Sequence, residues 1–134
     1  MIAVDTQVIV YHYLPGEKSE LTENLIRRDS DWVTSPLWKY EFRNVLAGFI
    51  RKKLVAPLDA VRIAEEAEQF FLNREVLVPP ARIVELMAKF PCTGYDLEFV
   101  AVAQEMGTRL VTNDGDLLKH FPRATIPLKE FRKK

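Results

Sequence analysis

The fold is decided by a short apolar stretch that ends in a carboxylate, Ile2-Ala3-Val4-Asp5-Thr6. A continuous apolar run of this kind is typical of a strand that is buried on both faces of a sheet. A similar stretch occurs late in the sequence, Leu110-Val111-Thr112-Asn113-Asp114. Both strands are expected near the centre of a parallel sheet, so Asp5 and Asp114 are expected at the edge where such sheets place their active sites.

Short strands alternate with helices through the rest of the chain. Strands are predicted over residues 2–5, 32–34, 76–78, 109–112 and 125–128. Helices are predicted over residues 6–13, 17–28, 37–53, 95–106 and 116–120, with two more that begin at Pro57 and near Ile83. This alternation predicts an α/β fold whose short parallel sheet, of four to five strands, is covered by helices on both faces. The two helices between the second and third strands predict a projecting hairpin.

The clearest helix is the one over residues 37–53. Ser35 and Pro36 give it a start signal, with Ser35 as the N-cap residue. Its apolar residues recur at helical spacing and form one stripe, Trp38, Phe42, Val45, Leu46, Phe49 and Ile50. Glu41 lies at the edge of this stripe, where its carboxylate would be partly buried.

The composition indicates a globular protein without membrane-spanning segments. The chain has 134 residues, 48% of them hydrophobic, which fits one domain and leads us to expect a cytoplasmic protein. Its single cysteine, Cys92, excludes an intramolecular disulfide. Lys+Arg and Asp+Glu both number 19, so the chain lacks the basic surplus of a general nucleic-acid binder. Basic groups such as residues 51–53 and 132–134 are interpreted as solvated.

Each acid has an ordinary structural interpretation when it is taken alone. Asp5 could cap the following helix, and Asp114 lies in an Asn-Asp-Gly turn signal. Asp96 follows Thr93 in an arrangement that resembles a capping box. Glu41 could pair with Arg43, Lys52 or a more distant base.

The joint placement of these acids at element ends favours a metal site. Carboxylates that share one pocket repel each other by about 1–4 kcal/mol per pair, and a divalent cation removes that repulsion. Oxygen ligands suit Mg²⁺ or Mn²⁺, which also bind phosphate oxygens. The chemistry that fits is metal-assisted hydrolysis of a phosphodiester bond.

Four motifs in order resemble those of the PIN-domain ribonucleases. They are Val4-Asp5-Thr6, the Ser-Pro-Leu-x-x-x-Glu-x-x-Asn-x-Leu pattern from Ser35 to Leu46, Tyr95-Asp96, and Val111-Thr112-Asn113-Asp114. The motifs span nearly the whole chain, and its length most resembles the VapC-type toxins of toxin–antitoxin pairs. One departure is Gln7, because the residue after Asp-Thr is commonly Asn in that family.

The resemblance implies a fold, an activity and a set of partners. It implies a single PIN-like domain over residues 1–134, with a three-layer α/β/α fold, and a Mg²⁺- or Mn²⁺-dependent endoribonuclease. The implied catalytic and metal-binding residues are Asp5, Glu41, Asp96 and Asp114, with Asp116 as an additional metal ligand. Polar pocket positions are implied at Thr6, Asn44 and Thr112. The implied partners are an RNA substrate, a cognate antitoxin and a second copy in a homodimer.

Two other classes of protein compete with a ribonuclease. A non-catalytic PIN-like module would act through its partner surfaces alone. A receiver or phosphatase would also use Mg²⁺, but a receiver needs adjacent acids after the first strand, where this chain has Thr6-Gln7. No Gly-x-Gly-x-x-Gly occurs, which argues against a dinucleotide-binding domain.

Overall fold

Four short parallel strands form the centre of the molecule, β1 (Ile2–Val4), β2 (Trp32–Val33), β3 (Leu110–Val111) and β4 (Thr125–Ile126). The computed structural model describes residues 1–131, so the basic group at residues 132–134 lies outside the described residues. The strand order is β2-β1-β3-β4, which makes β1 and β3 neighbours at the centre. Every residue of β1 and β3 is buried, as expected for a sheet that is covered on both faces.

Seven α-helices surround this sheet within residues 1–131. They are α1 (Thr6–Tyr13), α2 (Ser19–Arg28), α3 (Trp38–Arg51), α4 (Pro57–Phe71), α5 (Pro80–Lys89), α6 (Gly94–Glu105) and α7 (Gly115–His120). Helix α1 packs against α2 and α3, whereas α6 contacts β1 and β3 and packs against α5. These two groups make the outer layers, and the predicted three-layer α/β/α fold is confirmed.

The prediction of a strand over residues 76–78 is wrong. The backbone meets the sheet edge at one point only, a parallel bridge between Thr34 and Glu75. Leu77 is 83% exposed, whereas Val76 and Val78 are partly buried against the core. Pro79 then precedes the start of α5. The sheet therefore has four strands, and the segment predicted as its fifth strand is β4.

The predicted helical hairpin is formed by α3 and α4. Helix α3 begins at Trp38, and its N-cap residue is Leu37, so the N-cap predicted at Ser35 is wrong. The Ser35 hydroxyl instead accepts a bond from the Leu37 amide (3.2 Å) in the turn before the helix. The rings of Trp38 and Phe71 lie 4.9 Å apart between centroids and join the two helices to the core. No helix within residues 1–131 has both the length and the apolar character needed to cross a bilayer.

Candidate active site

One cleft of about 620 Å³ opens where β1 and β3 end. Asp5, Glu41, Asp96 and Asp114 all line it, although they come from four separate parts of the sequence. Because β1 and β3 are adjacent and parallel, the residues that follow them emerge side by side. The structure thus brings the four carboxylates to one cleft, while their catalytic and metal-binding roles remain a prediction.

Asp5 is the most buried of the four acids, with 8% of its surface exposed. Its Oδ1 accepts a hydrogen bond from the Val8 amide (3.0 Å), which caps the N-terminus of α1. Its Oδ2 accepts a bond from the Thr112 hydroxyl (2.5 Å). The same hydroxyl oxygen accepts a bond from the Asp114 amide (3.0 Å), so Thr112 connects the residues that follow β1 and β3.

Glu41 lies in the first turn of α3 and is half-buried. The Thr6 hydroxyl donates a 2.6 Å hydrogen bond to its Oε1. The alternative partner Arg43 instead contacts Glu68 of α4 at 3.0 Å. Helix α3 is therefore held to α1 by a polar contact at the cleft itself.

Asp96 and Asp114 lie at the N-termini of two further helices. Asp114 caps α7 by accepting a bond from the Leu117 amide (3.0 Å). Asp96 donates its own amide to the Thr93 hydroxyl (3.1 Å) in the first turn of α6. Helix N-termini carry partial positive charge, which stabilises nearby carboxylates. The capping interpretation of Asp5 is correct, and Thr93 caps α6 as expected from its spacing to Asp96. Asp114 was expected in a turn and instead caps α7. These local roles coexist with a place in the cleft.

The acids of the cleft influence each other's ionisation. Burial raises the pKa of Asp5 to about 6; the bonds from Thr112 and Val8 oppose this rise, and the charges of Asp114 and Asp96 add to it. Burial also raises the pKa of Asp96, and the charges of Asp114, Glu41 and Asp116 raise it further. Such a set of oxygen donors fits a hard divalent cation, whose charge would offset the repulsion.

The four carboxylates of the cleft do not form a closed coordination shell. Within residues 1–131, no three acidic, histidine or cysteine side chains are grouped as a ready-made metal site. Asp116 is exposed on α7 and is not among the residues that line the cleft, although its charge raises the pKa of Asp96. Asn44 and Gln7 line the cleft with uncharged amides, and Thr6 lines it while holding Glu41.

Three tyrosines line the cleft, Tyr11, Tyr40 and Tyr95. The sequence interpretation missed Tyr11 and Tyr40, and it named Tyr95 within a motif without giving its ring a role. The available signal was their position, because Tyr40 directly precedes Glu41 and Tyr95 directly precedes Asp96. Adjacent helical residues diverge by about 100° around the axis. Tyr40 and Tyr95 are exposed, whereas Glu41 and Asp96 are partly buried.

The protein is an α/β domain with a four-stranded parallel sheet and an acidic cleft where its central strands end. The PIN domain model matches residues 2–123, and the chain belongs to the PIN domain family. Ribonuclease VapC3 of Pyrobaculum aerophilum is 30% identical over 129 residues, which cover 94% of this chain and 98% of that protein.

Two solved structures have the same fold. The crystal structure of PAE2754 from Pyrobaculum aerophilum superimposes with a TM-score of 0.74 and 22% identity, over 96% of this chain and 90% of that one. The crystal structure of FitAcB from Neisseria gonorrhoeae gives a TM-score of 0.75 and 16% identity, over 98% of this chain and all (100%) of that chain. At these identities the likeness concerns the fold alone.

Proposed function

We propose that this protein is a Mg²⁺- or Mn²⁺-dependent endoribonuclease that acts in the cytoplasm as the toxin of a toxin–antitoxin pair. The observation that carries the proposal is the meeting of Asp5, Glu41, Asp96 and Asp114 in one cleft. Similarity to a protein named Ribonuclease VapC3, over nearly the full length of both chains, supports RNA as the substrate.

The four carboxylates would hold the cation, with Asp116 as a candidate for an outer contact. When bound, the cation would supply Lewis acidity toward the phosphate oxygens and the attacking water. Thr112 and the Val8 amide fix both oxygens of Asp5, so this carboxylate is oriented before any ligand arrives. Thr6 fixes Glu41 in the same way.

Small side-chain movements would complete the metal site. Asp5 is held from two sides, whereas Asp96 and Asp114 are only partly buried at helix starts. Mg²⁺ commonly retains several waters and uses one or two carboxylates directly. A closed protein cage is therefore not required for the proposed chemistry.

The proposal is tested by cleavage of a labelled, unstructured RNA with Mg²⁺, with Mn²⁺ and with EDTA. Cleavage is expected only with metal, and Asp96→Asn should lower the rate by about 100-fold or more, the scale seen when a key electrostatic group is lost. Glu98→Gln is the matched control, because Glu98 lies on the same helix but does not line the cleft. Undiminished cleavage by Asp96→Asn, or cleavage in EDTA, would contradict the proposed metal site.

The antitoxin part of the proposal is supported by a second groove beside the cleft. This groove has a volume of about 340 Å³ and includes the apolar side chains Val10, Leu14 and Phe49. It shares Gln7, Tyr11 and Val45 with the acidic cleft, so a peptide bound there would extend toward the acids. The expected antitoxin, encoded by a short neighbouring gene, should inhibit RNA cleavage, and Phe49→Asp should relieve that inhibition. Inhibition that is unaffected by Phe49→Asp would exclude this groove as the antitoxin site.

The homodimer part of the proposal is supported by apolar side chains on α5. Val84 and Met87 are 61% and 49% exposed, and their i,i+3 spacing puts them on one side of the helix. Light scattering should give twice the monomer mass for the parent protein and the monomer mass for Val84→Glu. A parent that stays monomeric at high concentration would exclude the dimer.

The second candidate is a non-catalytic interaction module. It is favoured by the apolar surfaces that a partner could cover, namely the groove with Val10, Leu14 and Phe49 and the exposed Val84 and Met87 of α5. This alternative leads us to expect no cleavage of any RNA and no rise in melting temperature with Mg²⁺ or Mn²⁺. The cleavage and melting experiments together separate the two functions.

A further inference from the structure

Two exposed tyrosines border the acidic cleft, Tyr40 from α3 and Tyr95 from α6. They are 65% and 66% exposed, although large aromatic side chains usually bury most of their surface. Within residues 1–131, neither side chain has a hydrogen bond or a ring contact. Their packing therefore gives no structural reason for an aromatic residue at either position.

The charge of the cleft limits how a nucleic acid can bind there. Among the described residues that line it, none is lysine or arginine, whereas four are acidic. The nearest basic neighbours of Tyr40 in sequence are Lys39 and Arg43, and both contact Glu68 of α4 (4.0 and 3.0 Å). Apart from the phosphate at a cation, the RNA backbone would meet repulsion, so most of the affinity must come from uncharged contacts.

We infer that Tyr40 and Tyr95 stack on unpaired nucleobases next to the phosphate that a cation would hold at the acids. The inference rests on the proposed ribonuclease function and names the substrate as single-stranded RNA. Aromatic rings stack on any base, because every base has a π face, and they need no charge to do so. Bases inside a duplex have no free face, so paired RNA should bind poorly.

Binding is measured by fluorescence anisotropy with a labelled, unstructured 12-nucleotide RNA, a length within the roughly 4–16 nucleotides of known single-strand sites. The buffer contains EDTA, so cleavage and the cation-held phosphate contact are absent in parent and variants alike, and differences in Kd report the rings. Tyr40→Leu and Tyr95→Leu should each weaken the Kd by about 5- to 150-fold, the range for loss of one stacked base. Tyr40→Phe and Tyr95→Phe keep the ring and should bind like the parent. Leu58→Ala is the control, because Leu58 is 79% exposed on α4 and does not line the cleft.

Two further readouts distinguish stacking from other contacts. The dependence of log Kd on log salt should be shallow, with a slope below about 2, because few phosphates would be neutralised by cations of the protein. In Mg²⁺ the leucine variants should raise the KM for cleavage more than they lower kcat, as expected for lost ground-state binding. Equal losses for the Phe and Leu variants, an unchanged Kd in the Leu variants, or a steep salt slope would each overturn the inference.

Failure of the inference is separable from failure of the proposed function. If the parent cleaves RNA with metal while the leucine variants keep its Kd and KM, the stacking role is wrong and the nuclease stands. If the parent cleaves nothing in any metal but still binds single-stranded RNA through both rings, the nuclease is wrong and the stacking role stands.

Discussion

Replacement of Asp5 by Asn should stabilise the metal-free protein. The pKa of Asp5 is raised by burial from 3.8 to about 6, so ionising this carboxyl in the folded state costs about 3 kcal/mol relative to the unfolded chain. Asn keeps an oxygen that can accept the Val8 amide, and its NH₂ can donate to the Thr112 hydroxyl oxygen. The pKa of about 6 already includes the bonds from Thr112 and Val8. An amide that fits these partners less well than the carboxyl offsets part of the gain, so the net stabilisation at pH 8 should be about 1–3 kcal/mol.

The pH dependence follows from the direction of the same shift. The contribution of Asp5 to the free energy of unfolding is complete below pH 3.8, its pKa in the unfolded chain. This contribution is lost as the pH rises through about 6, its pKa in the folded protein. The parent should therefore lose about 1.4 kcal/mol from this group between pH 5 and pH 8, and Asp5→Asn should lack this part of the loss. The raised pKa of Asp96 acts in the same direction.

The measurement is urea unfolding in EDTA at pH 5 and at pH 8. Asp59→Asn serves as the control, because Asp59 is an exposed first-turn acid of α4, and it should change the free energy of unfolding by less than about 0.5 kcal/mol. Mg²⁺ or Mn²⁺ should then stabilise the parent and not Asp5→Asn. An Asp5→Asn protein that is less stable than the parent at pH 8 without metal would refute this reasoning, since Asp5 would then be a net stabilising carboxylate.

Three smaller changes test other contacts of the structure. Thr6→Val removes the 2.6 Å bond to Glu41 and should slow metal-dependent cleavage by about tenfold, the low end for a mispositioned catalytic group. Thr6→Ser should restore the cleavage rate, and Thr6→Val should keep the circular dichroism spectrum of the parent. Trp38→Phe loses the 2.7 Å bond to Glu75 and part of a buried ring, so urea unfolding should show a loss of about 1–3 kcal/mol; no loss would mean that this contact is not formed. Gly107→Ala should cost about 1 kcal/mol in the same assay, because Gly107 has φ +63° after α6, and a neutral result would contradict that backbone conformation.

The central strands could be predicted because their sequence and their environment agree. β1 and β3 are short apolar runs, and every residue in them is buried against the helical layers. The segment at residues 76–78 has the same local pattern but a different environment, with Leu77 83% exposed beside the sheet edge. The sequence of a three-residue apolar run does not indicate whether a helix will cover it. Only tertiary packing distinguishes a buried strand such as β1 from the segment at residues 76–78.

Two acids of the cleft, Asp5 and Asp114, could be predicted from the expected central strands that they follow. Glu41 and Asp96 lie on helices, and their place in the same site was implied by the resemblance to the PIN-domain ribonucleases. Asp5 and Asp114 follow adjacent parallel strands, so topology alone brings them together. The tyrosines could not be found in this way, because an aromatic residue on a helix is normally a core residue until its exposure is known. The contact of Thr112 with Asp5 likewise depends on side-chain geometry that no spacing in the sequence specifies.

The most direct test of the proposed metal site is the anomalous difference map of a crystal grown with Mn²⁺. The expected result is a peak in the cleft about 2.0–2.3 Å from carboxylate oxygens that include Asp5 and at least one of Asp96 and Asp114, the distance at which such ions bind oxygen. A cleft without a peak at saturating Mn²⁺, or a peak held only by residues outside the four acids, would contradict a catalytic metal centre at this site.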